Sequence, residues 1–155
     1  MLRGGVAAVL ALTAGAAVAA PGDPWPPRLP GKDPLAAKAW GEAHVMQDDW
    51  VLTGTTDSQV WYVSTLPNPA PNYPLVRDWI RAEVFDASGS SRSHLALVEV
   101  DCAGQRARNV ESYFYQFNNL RGSFHMREEP VTWEPFGSGS IRESYARVIC
   151  RGAAP

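Results

Sequence analysis

Ser140-Ile141-Arg142-Glu143-Ser144-Tyr145-Ala146-Arg147-Val148-Ile149-Cys150 is the stretch on which the fold turns. Its apolar residues Ile141, Tyr145, Val148 and Ile149 stand at i, i+4, i+7 and i+8, one stripe of an α-helix. Ser140 is a good N-cap, and Glu143 follows at the three-residue spacing of a capping box. Phe136-Gly137-Ser138-Gly139 just before it gives a flexible entry rather than a nucleophile elbow, because the required spacing is absent. At about 100° per residue, Cys150 falls roughly opposite Ile141, off the stripe. Either the helix frays before Cys150, or the cysteine reaches its partner from the helix flank.

Upstream the period changes from helical to alternating. Asp49 to Thr55 and Gln59 to Thr65 read as strands joined by the turn Thr56-Asp57-Ser58. Pro67 to Pro74 is too rich in proline to join a ladder and reads as a loop. Leu75 to Phe85 is a third strand, with Val76, Ile80, Ala82 and Val84 on one parity and Arg77, Trp79, Arg81 and Glu83 on the other. After turn chemistry at Asp86 to Ser93, His94 to Cys102 puts Ala96, Val98, Val100 and Cys102 on the face expected to be buried. Arg106 to Phe117 is a long fifth strand, and Ser123 to Arg127 is a short sixth after the turn Asn118 to Gly122. A lone amphipathic helix must cover a sheet face. The fold class is therefore α+β: five or six antiparallel strands with one C-terminal helix packed on a face.

The N-terminus reads as a processing signal. Arg3 precedes an Ala/Val/Leu/Gly run that ends in Ala17-Val18-Ala19, small residues where signal peptidase cuts. Residues 1–19 are assigned to the leader, 20–47 to a proline-rich arm with at most a short helix at Ala36 to His44, and 48–152 to the domain. Nothing after the leader is apolar for the roughly 20 residues a membrane helix needs, and no cysteine stands at the cut for lipidation. Localisation is thus expected in the periplasm or at the cell surface. Of 14 basic residues Arg3 leaves with the leader, giving 13 against 16 acidic and a net charge of −3. That balance offers no basic stripe for nucleic acid.

The two cysteines, Cys102 and Cys150, form an even count in an exported chain, which reads as a disulfide. Two free buried thiols or half of a metal site are the competing readings. His44, His94 and His125 show no metal-ligand spacing, so neither metal nor cofactor is expected, and no catalytic motif is present. A triad assembled only in three dimensions is the enzymatic alternative. What stands out is aromatic excess. Trp61 and Tyr62 in the second strand, and Tyr113, Tyr115 and Phe117 on one parity of the fifth, form a candidate binding surface. Their competing role is core, which suits the high average burial of such rings. Arg106 and Arg108 are placed to pair with Asp101 or Glu99.

Val76-Arg77-Asp78-Trp79-Ile80, Val98-Glu99-Val100-Asp101-Cys102-Ala103, then Arg106, Arg108, Trp133 and a cysteine late in the last helix occur in that order. Over residues 48–151 this resembles the surface-adhesin protein E family of Gram-negative bacteria. The resemblance implies an antiparallel sheet with its helix tethered by a Cys102–Cys150 bridge, and binding to host matrix or envelope proteins. Two departures stand out: Tyr62-Val63-Ser64 lies where the family often has an aspartate, and the chain has no lipidation cysteine for surface retention.

Overall fold

The computed structural model describes residues 21–29, 33–66, 74–86, 89–130 and 132–153; the leader and most of the proline loop at 67–74 lie outside them. Six strands run as one meander: β1 (Trp50–Thr55), β2 (Gln59–Ser64), β3 (Leu75–Val84), β4 (Ser93–Asp101), β5 (Arg106–Phe117) and β6 (Arg121–Glu128). They lie in chain order, each antiparallel to the one before. Helices α1 (Pro34–His44) and α2 (Ile141–Ala153) flank the sheet. The antiparallel α+β sheet with a C-terminal helix is as expected from the sequence. A seventh strand, β7 (Glu134–Pro135), pairs with Arg106 and Ala107 of β5 and was not foreseen. Pro135 is tolerated in it because proline suits a sheet edge where no ladder donor is needed.

One face of the sheet is apolar because its register puts small and branched residues opposite one another. Val63 stands against Ile80 and Ile80 against Ala96, while Val76, Val100 and Ala107 form a second row. Tyr145, Ala146 and Ile149 of α2 are buried on these rows. The helix begins where the sequence places it: Ser140 Oγ accepts from the Glu143 N–H at 3.2 Å, and Glu143 Oε2 accepts from the Gly139 N–H at 2.7 Å. The helix does not fray before Cys150. It continues to Ala153, and Cys150 bonds from its flank to Cys102, just beyond β4, across a Cα separation of 5.8 Å. That bridge disposes of the free-thiol and metal readings.

The opposite face is covered at the β1–β2 end by the segment expected to lead into the domain. Asp33 caps α1 by accepting from the Leu35 and Ala36 N–H groups, and Pro34 starts the helix. The helix starts at Pro34 rather than Ala36 and runs for 11 residues, about three turns. Ala37 and Trp40 of α1, with Val45, pack on Val60, Tyr62 and Phe85. Gly41 permits this seat, since a Cβ there would stand 2.4 Å from Tyr62 Oη. Before α1 the chain is pinned as well: the Asn118 N–H donates to Pro24 O at 3.1 Å, and Trp40 Nε1 to Pro27 O at 2.7 Å.

Between this arm and the sheet lies a buried polar network. Arg81 donates to Glu83, to Met46 O and to Asn119 Oδ1, while Asn119 Nδ2 donates to Asp23 O and His44 O. Asn119 makes these contacts from a left-handed turn with φ 59°, a conformation asparagine tolerates better than most residues.

Asp78 is out of place on the helix-facing side, opposite Val98 and between Val76 and Ile80. Burial pushes its carboxyl up to about 6, only partly opposed by the Trp79 N–H at 2.7 Å. Because the folded-state value lies above the unfolded one, the charged carboxylate opposes folding at neutral pH, and this cost fades as pH falls through 6. Asp78→Asn is expected to raise stability at pH 7 by about 1–2 kcal/mol, a two-unit shift discounted for partial exposure. Urea melts should show the gain at pH 7 and its loss below about pH 4, where the unfolded carboxyl is also protonated. Equal melts at pH 7 would remove the argument.

Candidate functional site

Away from α1, no helix among the described residues packs on the second face of the sheet over β3 to β6. Alternation brings Trp79 of β3, Leu95 and Leu97 of β4, Tyr113 and Tyr115 of β5, and Phe124 and Met126 of β6 to this side. The rings form a chain across the strands: Trp79 to Tyr113 at 6.2 Å, Tyr113 to Phe124 at 5.7 Å, and Phe124 to Tyr115 at 5.3 Å. Phe124 and Met126 are 57 % and 54 % exposed, too much for core residues. The others are partly buried by one another. The Tyr113 hydroxyl donates to Glu111 at 3.0 Å, which fixes the ring's tip.

Towards the disulfide end the same face becomes a ladder of ion pairs. Glu99 accepts from Arg77 Nε at 3.0 Å and from Arg108 Nε at 2.7 Å, and Asp101 accepts from Arg106 Nε at 2.9 Å. Burial works against the Glu99 charge, yet its two arginines hold the carboxyl below the usual range. The Gly104 N–H and Arg106 do the same for Asp101. Trp133 lies against both guanidinium groups, at 4.9 Å from Arg106 and 5.0 Å from Arg108. The expected pairing of these arginines with Asp101 and Glu99 is what the structure has.

The candidate surface read from sequence is only partly assembled. Tyr113 and Tyr115 lie on the open face. Phe117 shares their side, but Trp25 covers it at 4.7 Å, with Arg92 lying over Trp25. Tyr62 is fully buried beneath α1, so it belongs to the core and to no surface. Trp61 points the other way, beside α2. Leu95, Leu97, Phe124 and Met126 were missed. The signal for the last two was the alternation Phe124-His125-Met126 in the short sixth strand.

His94 and His125 lie on the helix side, stacked on either side of Phe114 at 4.5 and 5.1 Å. Burial holds the His94 imidazole down at about 4, so it is neutral at pH 7, and its buried Nε2 has no hydrogen-bond partner in the protein. Among the described residues no group of three or more His, Cys, Asp or Glu could hold a metal ion, and no helix is long and apolar enough to cross a membrane.

The model of the family described as surface-adhesin protein E matches residues 50–151. The chain belongs to that family. Among solved structures it is similar to crystal form II of Haemophilus influenzae protein E, with a TM-score of 0.53 and 13 % identity over 70 % of this chain and 91 % of that one. A second structure of Haemophilus influenzae protein E matches with a TM-score of 0.49, 14 % identity, and 70 % and 88 % coverage. At 13 % identity the likeness to crystal form II shows the fold alone. No curated protein matches the sequence. Of the residues that carry the protein E resemblance, Trp79, Glu99, Asp101, Arg106, Arg108 and Trp133 are set about the open face and its ion-pair ladder, whereas Val76, Ile80, Val98, Val100 and the two cysteines lie under α2.

Proposed function

We propose that the chain is an exported, non-catalytic binding domain whose open sheet face docks a protein or other surface macromolecule. The observation that carries this reading is the ring chain from Trp79 to Phe124, exposed at Phe124 and Met126 and bordered by the Arg77–Glu99–Arg108 ladder. An apolar, aromatic centre with a charged rim is the anatomy of protein interfaces, and aromatic anchors supply most of their binding energy. Membership of the surface-adhesin protein E family supports a host matrix or envelope protein as the partner. The leader read over residues 1–19 supports delivery to the periplasm or cell surface.

The test is binding of the purified domain to a panel of host matrix and envelope proteins. It is made with the parent and with a Phe124→Ser/Met126→Ser double variant. Both side chains are exposed, so the fold should survive, and affinity should fall by about tenfold or more. Equal affinity would move the binding surface elsewhere. Protease treatment of intact cells against spheroplasts then separates locations. Digestion on intact cells supports adhesion, whereas protection until the outer membrane is opened supports a periplasmic accessory role with no host partner.

A further inference from the structure

β6 is the last strand of the meander, and among the described residues no strand pairs with its outer side. All eight of its residues are exposed. The other edge of the sheet, β1, lies beside both helices. An edge strand with free N–H and C=O groups is a template for another strand unless proline, lysine or a bulge blunts it. β6 has neither proline nor lysine, and the irregularity in its pairing falls near the turn, between Tyr115 and Phe117 of β5. Its mid-strand cation, Arg127, is drawn back over the Phe114 ring at 4.9 Å and paired with Glu129.

Along this edge the open face changes sign. At the far end Glu128 stands directly opposite Glu111, an unfavourable like-charge pair. Glu111 accepts from the Tyr113 hydroxyl, but neither carboxylate has an ion-pair partner among the described residues. Next come the pairs Met126–Tyr113 and Phe124–Tyr115, and at the turn end the exposed Arg121, opposite Phe117. A strand laid antiparallel to β6 meets these in order: a cation beside Glu128, apolar residues beside Met126 and Phe124, and an acid beside Arg121. A second copy of β6 fits less well. Centred on Phe124 it sets Arg121 against Arg127; centred on His125 it sets Arg121 against Glu129, whose carboxylate Arg127 already holds.

We infer that β6 takes up an extended segment of a partner protein as a further antiparallel strand, which rests on the reading of the open face as a docking surface. The segment begins with Lys or Arg, places alternate apolar residues on the open side, and ends with Asp or Glu. Main-chain bonds to β6 supply the affinity and the alternate side chains the selectivity. The probe is the capped peptide Lys-Thr-Val-Thr-Val-Thr-Glu, compared with its reversed twin Glu-Thr-Val-Thr-Val-Thr-Lys and with a fully N-methylated form. The outward amides of β6 should exchange freely in the protein alone and slow by about tenfold with bound peptide. Half-saturation is expected at or below about 1 mM. The twin should bind about tenfold more weakly and the N-methylated form not at all. An Arg121→Glu/Glu128→Lys variant, changed at two exposed sites, should reverse the order of the two peptides. Equal binding of both orders by the parent, binding undiminished by N-methylation, or no slowing of β6 amides by about 10 mM peptide overturns the proposal. So does protection of the outward amides that rises with protein concentration alone, which gives the edge to a second copy. If the peptide fails while Phe124→Ser/Met126→Ser still weakens binding of partner proteins, the strand addition is wrong and the docking face stands. If that variant binds them as the parent does while the peptide seats on β6, the face reading fails and the edge remains.

Discussion

Glu83→Gln is expected to lower the free energy of unfolding by about 3–5 kcal/mol, with a matching fall in the urea midpoint. Glu83 has no exposed surface and sits in β3 with every oxygen engaged. It accepts from Arg81 Nε at 2.7 Å, from Asn118 Nδ2 at 2.9 Å, and from the Asn119 N–H at 3.0 and 3.1 Å. Burial pushes its carboxyl up, and Arg81 and the amide donors pull against that. Glutamine keeps the size but turns one acceptor into a donor facing donors, and it leaves Arg81 buried without its counter-charge. A paired Arg81→Met/Glu83→Leu variant should recover part of the loss, since replacing a buried pair costs less than breaking one. It should not recover all, because the Asn119 N–H then loses its acceptor. The damage should spread to the N-terminal arm, which is held through Met46 O, His44 O and Asp23 O by the same network. Amide exchange in α1 should therefore quicken before exchange in β3 and β4. A Glu83→Gln protein within about 0.5 kcal/mol of the parent would show that the network contributes little.

The sheet was legible because its strands alternate and its helix does not. The parity of Ala96, Val98 and Val100 identified the buried face, and Ser140 with Glu143 located the helix start. What the sequence hid was the second cover. Trp61 and Tyr62 are neighbours in a strand and must point to opposite faces. Which of them is exposed depends on whether something packs on each side. That something is α1, whose sequence follows a run of prolines and carries a weak apolar pattern, and whose seat is fixed by contacts such as Asn119 to His44, 75 residues apart. The open face had the opposite problem. Tyr113 and Tyr115 were visible in β5, but their neighbours on β6 needed the register Tyr113 to Met126 and Tyr115 to Phe124. A register is set by the turn at Asn118 to Gly122, where Asn119, Leu120 and Gly122 all have positive φ. Only for Asn119 and Gly122 does residue type hint at that conformation.

Cys102→Ser is expected to cost about 2–5 kcal/mol in oxidising buffer and to loosen α2 ahead of the sheet. The bridge closes a loop of 48 residues, for which chain entropy alone gives about 4 kcal/mol before strain is counted. Within the folded state, α2 would then rest chiefly on Tyr145, Ala146, Ile149 and their partly buried neighbours, with the Arg142–Glu134 ion pair beside them. Its amides should exchange faster than those of β3 and β4. Cys150→Ser should match Cys102→Ser, and the double variant should match either, since one cross-link is removed in all three. Reduction of the parent should reproduce the same melt. A Cys102→Ser protein that melts with the parent would mean that the helix needs no tether. The two large effects also test how the molecule is divided. Cys150 and Cys102 belong to the cluster under α2, whereas the Glu83 network lies on the opposite face with α1. If the sheet keeps these faces independent, combining Cys102→Ser with Glu83→Gln should give the sum of the single losses to within about 0.5 kcal/mol. Such a sum is measurable only in a background stable enough to bear it, and Asp78→Asn at pH 7 is the natural choice.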